Sequence, residues 1–130
     1  MERALVVEDT EKWQNFHRGL LEPILGEGNV DVVANYDDAI SMLGRDYRAY
    51  ILDVQFPRHR FGKPQLLGVQ LAQEIMRREG SHHRIVVVSS HMSIEAQNLG
   101  ITRIYNKYSL KADKNEVATF LRDLRSLFNI

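Results

Sequence analysis

Short apolar runs alternate with segments of helical periodicity along the whole chain. Five runs have the length and the valine, isoleucine and leucine content of buried strands, and they cover residues 3–7, 30–34, 49–53, 85–88 and 101–105. Between them, apolar residues recur three or four positions apart, as on one face of a helix. We therefore predict five strand–helix units that form one domain over residues 1–130.

Capping and breaking residues set the predicted helix boundaries. Pro23 is expected to end the first helix, which follows Thr10, because proline lacks the backbone donor that a continuing helix needs. Asp113 and Glu116 form a capping pair at the start of the last helix. The other helices are predicted at about residues 39–43, 66–78 and 93–99. Right-handed crossovers place helices on both faces of a doubly wound parallel sheet, so the fold class is α/β.

Composition excludes several classes of protein. Seventeen basic and seventeen acidic residues cancel, so no net field favours nucleic acid or an anionic membrane. Cysteine is absent, which excludes disulfides and thiolate metal sites. No apolar run approaches the roughly 20 residues that cross a bilayer, and the N-terminus lacks the apolar core of a signal peptide. We expect a cytoplasmic protein that binds neither nucleic acid directly nor a membrane.

Polar side chains follow the predicted strands at the points where the strands end. Glu8 and Asp9 follow the first strand, Asp53 ends the third, Ser89 follows the fourth and Lys107 comes just after the fifth. The carboxyl ends of parallel strands share one edge of a sheet, and ligands bind there in open α/β folds. Carboxylate oxygens suit Mg²⁺, and an ammonium group suits a phosphoryl group. The pattern therefore predicts a site for magnesium and phosphate.

These segments together resemble the receiver domain of two-component response regulators. The resemblance rests on Val6-Val7-Glu8-Asp9, Leu52-Asp53 with Pro57 four residues later, Val88-Ser89-Ser90, and Lys107, in that order along the chain. It covers essentially the whole chain. It implies a flavodoxin-like (βα)5 fold with strand order 2-1-3-4-5.

The resemblance also implies a role for each residue. Asp53 would be the phosphoacceptor, and Glu8 and Asp9 would join Asp53 in binding Mg²⁺ or Mn²⁺. Ser89 and Lys107 would contact the new phosphate. The donor would be a histidine kinase or a phosphotransfer protein. The domain would catalyse only its own phosphorylation and dephosphorylation, and would not be an enzyme acting on other substrates.

The resemblance implies further roles for residues near Asp53. The backbone carbonyl of Gln55 would be another metal ligand. The side chains of Gln55 and His91 would tune how quickly water removes the phosphate. An unidentified output protein would read the change through the fourth helix, fifth strand and fifth helix, with position 104 as the switch residue.

Three features depart from the pattern of receivers. Tyr108 follows the lysine where proline in a cis peptide is usual, so the bond is either trans or held under strain. Ile104 replaces the usual aromatic switch residue, and Tyr105 cannot substitute because neighbouring strand residues face opposite sides. The polar, basic segment 58–64 is longer than usual, and we expect it to recognise a partner or phosphate donor.

Each residue also has an ordinary structural explanation, such as capping a helix or solvating the surface, and only their combination is specific. Two other functions therefore stay open. One is a phosphohydrolase with an aspartate nucleophile, although Gln55 stands where that enzyme would need a second aspartate. The other is a receiver-like interaction module that works without phosphorylation.

Overall fold

The structure is a computed structural model that describes residues 2–80, 82–90 and 94–129. Its centre is a five-stranded parallel sheet. In chain order the strands are β1 (Ala4–Val7), β2 (Val30–Val33), β3 (Ala49–Leu52), β4 (Phe56–Pro57), β5 (Pro64–Gln65), β6 (Ile85–Ser89) and β7 (Ile104–Asn106). The sheet order is β2-β1-β3-β6-β7, while β4 and β5 form a separate antiparallel pair. This confirms the predicted topology.

Helices pack on both faces of the sheet. They are α1 (Glu11–Leu25), α2 (Tyr36–Met42), α3 (Gly68–Glu79), α4 (Ile94–Asn98), α5 (Lys107–Ala112) and α6 (Lys114–Phe128). Alternate strand residues feed two separate cores: Leu5 and Val7 pack towards α2 and α3, while Ala4 and Val6 pack towards α1 and α6. None of the helices in the described ranges is long and apolar enough to cross a membrane.

The fifth strand of the main sheet starts three residues later than predicted. The backbone N–H of Ile101 donates to the carbonyl of Ala96 in α4, so this residue is tied to the helix and not to the sheet. Pairing with β6 begins with Ile104 opposite Val87. The apolar run that predicted a strand at 101–105 therefore combines a buried loop residue with a short strand.

The first helix also continues past the predicted end at Pro23. It runs to Leu25, and its last bond is donated by the Gly26 N–H to the Glu22 carbonyl. Pro23 lies in the final turn, where the missing N–H costs a single hydrogen bond. The prediction that this proline ends the helix was wrong by two residues.

Residues 56–65, which include the polar, basic segment 58–64, form a short hairpin. Phe56 pairs with Gln65, and Pro57 pairs with Pro64. Phe56 is fully buried, whereas the tip of the hairpin is exposed. The buried aromatic ring fixes the hairpin to the core immediately after β3.

Candidate functional site

The sheet register brings the predicted acidic residues to one edge. Val7 pairs with Leu52 at the ends of β1 and β3, so Glu8 and Asp53 leave neighbouring strands at the same level. The backbone N–H of Asp53 donates to the carbonyl of Val7 at 3.0 Å, which extends the pairing by one residue. Parallel pairing therefore puts Glu8, Asp9 and Asp53 together, as the sequence predicted.

Lys107 joins this cluster from the first residue of α5. Its Nζ lies 2.8 Å from Asp53 Oδ2 and 2.7 Å from Glu8 Oε2. Glu8 is 1% exposed, and Asp53 and Lys107 are 8% and 7% exposed. Burial of three charged groups requires that they compensate one another, because an unpaired buried charge is costly.

Two residues that the sequence reasoning missed orient Glu8. The backbone N–H and the hydroxyl of Thr10 both donate to Glu8 Oε1, at 3.1 and 2.9 Å. The Gln14 side chain donates to the Glu8 backbone carbonyl at 2.7 Å. Thr10 occupies the N-cap position of α1, yet its hydroxyl binds Glu8 instead of capping the helix. The second Glu8 oxygen, Oε2, is thereby directed at Lys107 and Asp53.

The donor set fits a hard divalent cation. One oxygen each from Glu8, Asp9 and Asp53 lies within 4.8 Å of the others. Glu8 Oε2 is buried, and its partner is the Lys107 ammonium group at 2.7 Å. When all are ionised, three carboxylates and one ammonium group leave a formal charge of −2, which one Mg²⁺ neutralises. The cluster can therefore bind a metal ion.

Burial and neighbouring charges shift the pKa values of the residues in this cluster. Burial raises the pKa of Glu8, and the charge of Asp53 raises it further, while Lys107 opposes both effects. Burial likewise raises the pKa of Asp9. Burial by itself would lower the pKa of Lys107, but contacts with Asp53 and Glu8 outweigh it and raise that pKa. The lysine therefore stays charged, and the three carboxylates share this one positive partner.

The backbone after β3 holds Asp53 in place. The Val54 N–H donates to Asp53 Oδ1 at 2.7 Å, so Lys107 and this N–H divide the two carboxylate oxygens between them. The start of α3 packs directly on this turn, with the Gly68 N–H donating to the Val54 carbonyl. A Cβ on Gly68 would lie 2.2 Å from the Asp53 carbonyl oxygen, so only glycine allows this approach.

The structure places the remaining predicted residues as follows. Ser89 ends β6 at the same edge of the sheet and is buried. Gln55 is exposed at the rim, two residues beyond Asp53, and its predicted carbonyl ligand role stays a prediction. His91 lies outside the described residues, so its tuning role also stays a prediction.

Residues 104 and 105, at the predicted switch position, show the expected alternation of side chains. Ile104 packs against the core on the α2–α3 face, and Tyr105 belongs to the core on the opposite face. The Tyr105 hydroxyl donates to Asp123 of α6. The described residues contain no cis peptide bond, so the Lys107–Tyr108 bond is trans.

Trp13 is a further neighbour of the site that the sequence did not indicate. The Lys107 ammonium lies 5.4 Å from the centre of its ring, within the range of a cation–π contact. Behind it, the buried His17 packs against Trp13, Phe16 and Phe120. The spacing of Trp13, Phe16 and His17 indicates that they share the core-facing side of α1. No sequence signal connects Trp13 to a lysine 94 positions later.

Among known proteins, solved structures are the ones that this chain matches. No family model matches this sequence, and no curated protein resembles it closely enough to match. The signal receiver domain of an HD domain-containing protein from Pseudomonas fluorescens Pf-5 aligns at 18% identity, TM-score 0.70, over 99% of this chain and 98% of that one. The Mn²⁺-bound form of response regulator Rcp1 aligns at 13% identity, TM-score 0.71, over 98% and 94% of the two chains.

A third similar structure is the response regulator TrrA from Thermotoga maritima, in complex with Mg²⁺ and BeF. It aligns at 19% identity and a TM-score of 0.61, over 92% of this chain and 99% of that one. Two of the three structures thus contain a divalent cation. The chain has the fold of response regulator receiver domains along nearly its whole length.

Proposed function

We propose that this chain is a phosphoacceptor switch in a two-component system, with Asp53 as the residue that takes the phosphoryl group. The observation that carries the proposal is the buried contact of Lys107 with Asp53 and Glu8, beside a third carboxylate, Asp9. A structural ion pair needs one acid for one base. A site with three acids and one base is suited to receiving a divalent cation and a phosphoryl group.

The proposed transfer begins with attack of an Asp53 carboxylate oxygen on the phosphorus atom. The new P–O bond makes an acyl phosphate, and the bond from phosphorus to the donor breaks. The donor's electron pair leaves on the imidazole nitrogen of a histidine kinase or phosphotransfer protein, or on the carboxylate oxygen of a small acyl phosphate. Lys107 then pairs with the phosphate oxygens, and Ser89 donates a hydroxyl hydrogen to one of them.

Glu8, Asp9 and Asp53 would hold Mg²⁺ or Mn²⁺, with the Gln55 backbone carbonyl as a further ligand. The cation would supply positive charge that offsets repulsion between these carboxylates and an incoming phosphoryl group. Thr10 would keep Glu8 Oε2 aimed into the site.

Beryllofluoride, a mimic of the aspartyl phosphate, tests the proposal. Adding it to chains already in Mg²⁺ should shift amide resonances around Asp53, Ser89 and Lys107 in the wild type, and should cause no further shift in Asp53→Ala. In parallel, acetyl phosphate should add one phosphoryl group, measured by mass spectrometry, to the wild-type chain only. Equal partner binding by the two forms would instead favour a module that works without phosphorylation, and steady turnover of phosphate esters would favour a phosphohydrolase.

The readout and the lifetime of the signal belong to the same proposal. Phosphorylation would shift α4, β7 and the last helix between two arrangements, and a partner in the cytoplasm would bind one of them. Gln55 and His91 would set the lifetime of the phosphate. Exchanging either residue should change the rate of dephosphorylation, and an unchanged rate would contradict this role.

The hairpin after β3 would recognise the phosphate donor. It is held against α2 because Arg58 stacks on Tyr36 at 4.9 Å and His59 contacts Asp37 at 2.5 Å. Its tip presents Phe61, which is 93% exposed. Arg60 lies 5.4 Å from the centre of this ring, and the exposed Lys63 follows two residues later in the chain, so the tip suits an apolar surface bordered by acidic side chains.

A further inference from the structure

A cavity lies beside the candidate phosphorylation site. It has a volume of about 150 Å³ and is lined by Lys12, Trp13, Ser90, Lys107, Tyr108 and Lys111. Lys107 belongs to both places, because its ammonium group also contacts Glu8 and Asp53. A ligand in this cavity would thus be one side chain away from the phosphoacceptor.

The cavity brings together positive charges from two helices. Lys12 comes from α1 and Lys111 from α5, and none of the six lining residues is acidic. Close contact with Lys111, and repulsion from its charge, lower the pKa of Lys12. In the part of the chain that the structure describes, neither lysine forms an ion pair with a carboxylate. Two cations that repel each other across a cavity favour an anion between them.

The size and chemistry of the cavity define that anion. A volume of 150 Å³ equals that of about five water molecules, which is enough for a small phosphate compound. Ser90 and Tyr108 carry hydroxyl groups that can donate to phosphate oxygens. The Trp13 ring adds a flat wall for an uncharged group next to the phosphate.

We propose that this lysine cavity binds the phosphoryl group of a small acyl phosphate before transfer to Asp53. The inference rests on the proposed function, since it names the place where that function recruits one class of donor. Lys12 and Lys111 then act as binding residues that raise the local concentration of the donor. Inorganic phosphate occupies the same cavity more weakly and serves as the probe.

Trp13 makes binding measurable, because it is the one tryptophan in the sequence. Inorganic phosphate is titrated without Mg²⁺ at constant ionic strength, with chloride as the reference anion. Wild-type fluorescence should change along a saturable curve. The double variant Lys12→Ala/Lys111→Ala should bind about tenfold more weakly, as expected for the loss of two exposed charge contacts. Arg18→Ala/Lys114→Ala removes two other exposed cations and should match the wild type.

A second experiment measures the rate of phosphorylation by acetyl phosphate in the presence of Mg²⁺. The double variant should need about tenfold more acetyl phosphate for half-maximal phosphorylation, at an unchanged maximal rate. Asp53→Asn separates the two proposals, since it should bind phosphate in the cavity while taking no phosphoryl group. A wild-type response no stronger than that to chloride, or identical curves for wild type and double variant, would overturn the inference. A wild-type chain that binds phosphate in the cavity but is never phosphorylated would overturn the proposed function and the donor role of the cavity, and would leave only an anion site.

Discussion

The ammonium nitrogen of Lys107 lies 2.8 Å from Asp53 Oδ2, across a distance of 54 residues in sequence. The same nitrogen contacts Glu8, so one cation compensates two buried carboxylates. This arrangement makes the lysine a structural element of the resting protein as well as a candidate ligand for phosphate.

Replacing Lys107 by methionine should therefore destabilise the fold. The variant leaves Glu8 and Asp53 buried without their positive partner, and breaking buried pairs in this way costs about 3–5 kcal/mol. Urea unfolding without Mg²⁺ measures the loss, and Mg²⁺ should restore part of it by replacing the missing charge. Lys114→Met, on the exposed start of α6, is the control and should change stability by less than about 0.5 kcal/mol. A Lys107 variant as stable as this control would contradict the role of the ion pair.

Gly68→Ala should disturb Asp53, which precedes it by 15 residues in sequence but lies against it in the fold. The new methyl group would meet the Asp53 carbonyl at 2.2 Å and the Val54 Cα at 2.7 Å, so β3 and α3 must move apart. We expect a loss of about 1–3 kcal/mol in unfolding free energy and weaker Mg²⁺ binding. Gly19→Ala tests the same exchange in open space within α1, where alanine should be neutral or stabilising. Equal stability of the two variants would show that α3 does not constrain the turn after β3.

Asp9→Asn should stabilise the chain when Mg²⁺ is absent. Burial raises the pKa of Asp9, so ionisation costs the folded state stability once the pH exceeds the ordinary value of 3.8. At pH 7 in EDTA the variant should gain roughly 0.5 kcal/mol, because Asp9 is only half-buried and solvent screens its charge. The gain should shrink as the pH falls towards 3.8.

In the presence of Mg²⁺ the wild type should become more stable than Asp9→Asn. Mg²⁺ should raise the melting temperature of the wild type more than that of Asp9→Asn, since the variant lacks one ligand. Glu27→Gln, at an exposed turn position, should respond to Mg²⁺ as the wild type does. An equal shift in all three chains would exclude Asp9 as a ligand.

His17 should make the fold sensitive to acid. Burial lowers the pKa of this histidine to about 3, and its Nδ1 has no hydrogen-bond partner among the described residues. The unfolded chain takes up a proton near pH 6.5 and the folded chain does not. Stability should therefore fall as the pH drops from 6.5 towards 3, by about 1.4 kcal/mol per pH unit from this one group.

Two variants and a control isolate this effect. Urea unfolding at several pH values measures how the free energy of unfolding depends on pH. This dependence should be weaker in His17→Phe or His17→Leu than in the wild type. His83→Gln, at an exposed position, should keep the wild-type pH dependence. The same pH dependence in the wild type and in both His17 variants would show that His17 is not the source of the acid sensitivity.

Changing the hairpin tip should slow transfer from a protein donor and spare a small one. The combined variant Phe61→Ala, Arg60→Glu and Lys63→Glu leaves the anchors Arg58 and His59 in place. With a phosphorylated histidine kinase or phosphotransfer protein, the rate should fall tenfold or more, whereas the rate with acetyl phosphate should stay within about twofold. Equal slowing with both donors, or a change in unfolding free energy alone, would remove the hairpin from donor recognition.

Local pattern and order along the chain were enough to predict much of this structure. Apolar runs identified the five strands because a strand buried on both faces tolerates few polar residues. The acids at the ends of β1 and β3 were predictable because parallel strands share one carboxyl edge. The opposite orientations of Ile104 and Tyr105 followed from the twofold period of a strand.

Other features depend on contacts between distant residues. The start of β7 was set by the bond from Ile101 to α4, and the hairpin was set by burial of Phe56. The pattern of apolar residues cannot separate these outcomes, because a buried loop and a buried strand use the same residues.

The sequence by itself determined which groups lie at this edge of the sheet: an acidic pair, a third acid, a hydroxyl and a lysine, each at the end of a strand or just after it. Only the tertiary structure decided their partners, since it placed Lys107 between Glu8 and Asp53 and used Thr10 to aim Glu8. The reason is physical. Hydrophobic periodicity acts over one turn or one strand, whereas the pairing of buried charges is settled by distances of a few ångströms that exist only after the elements have packed.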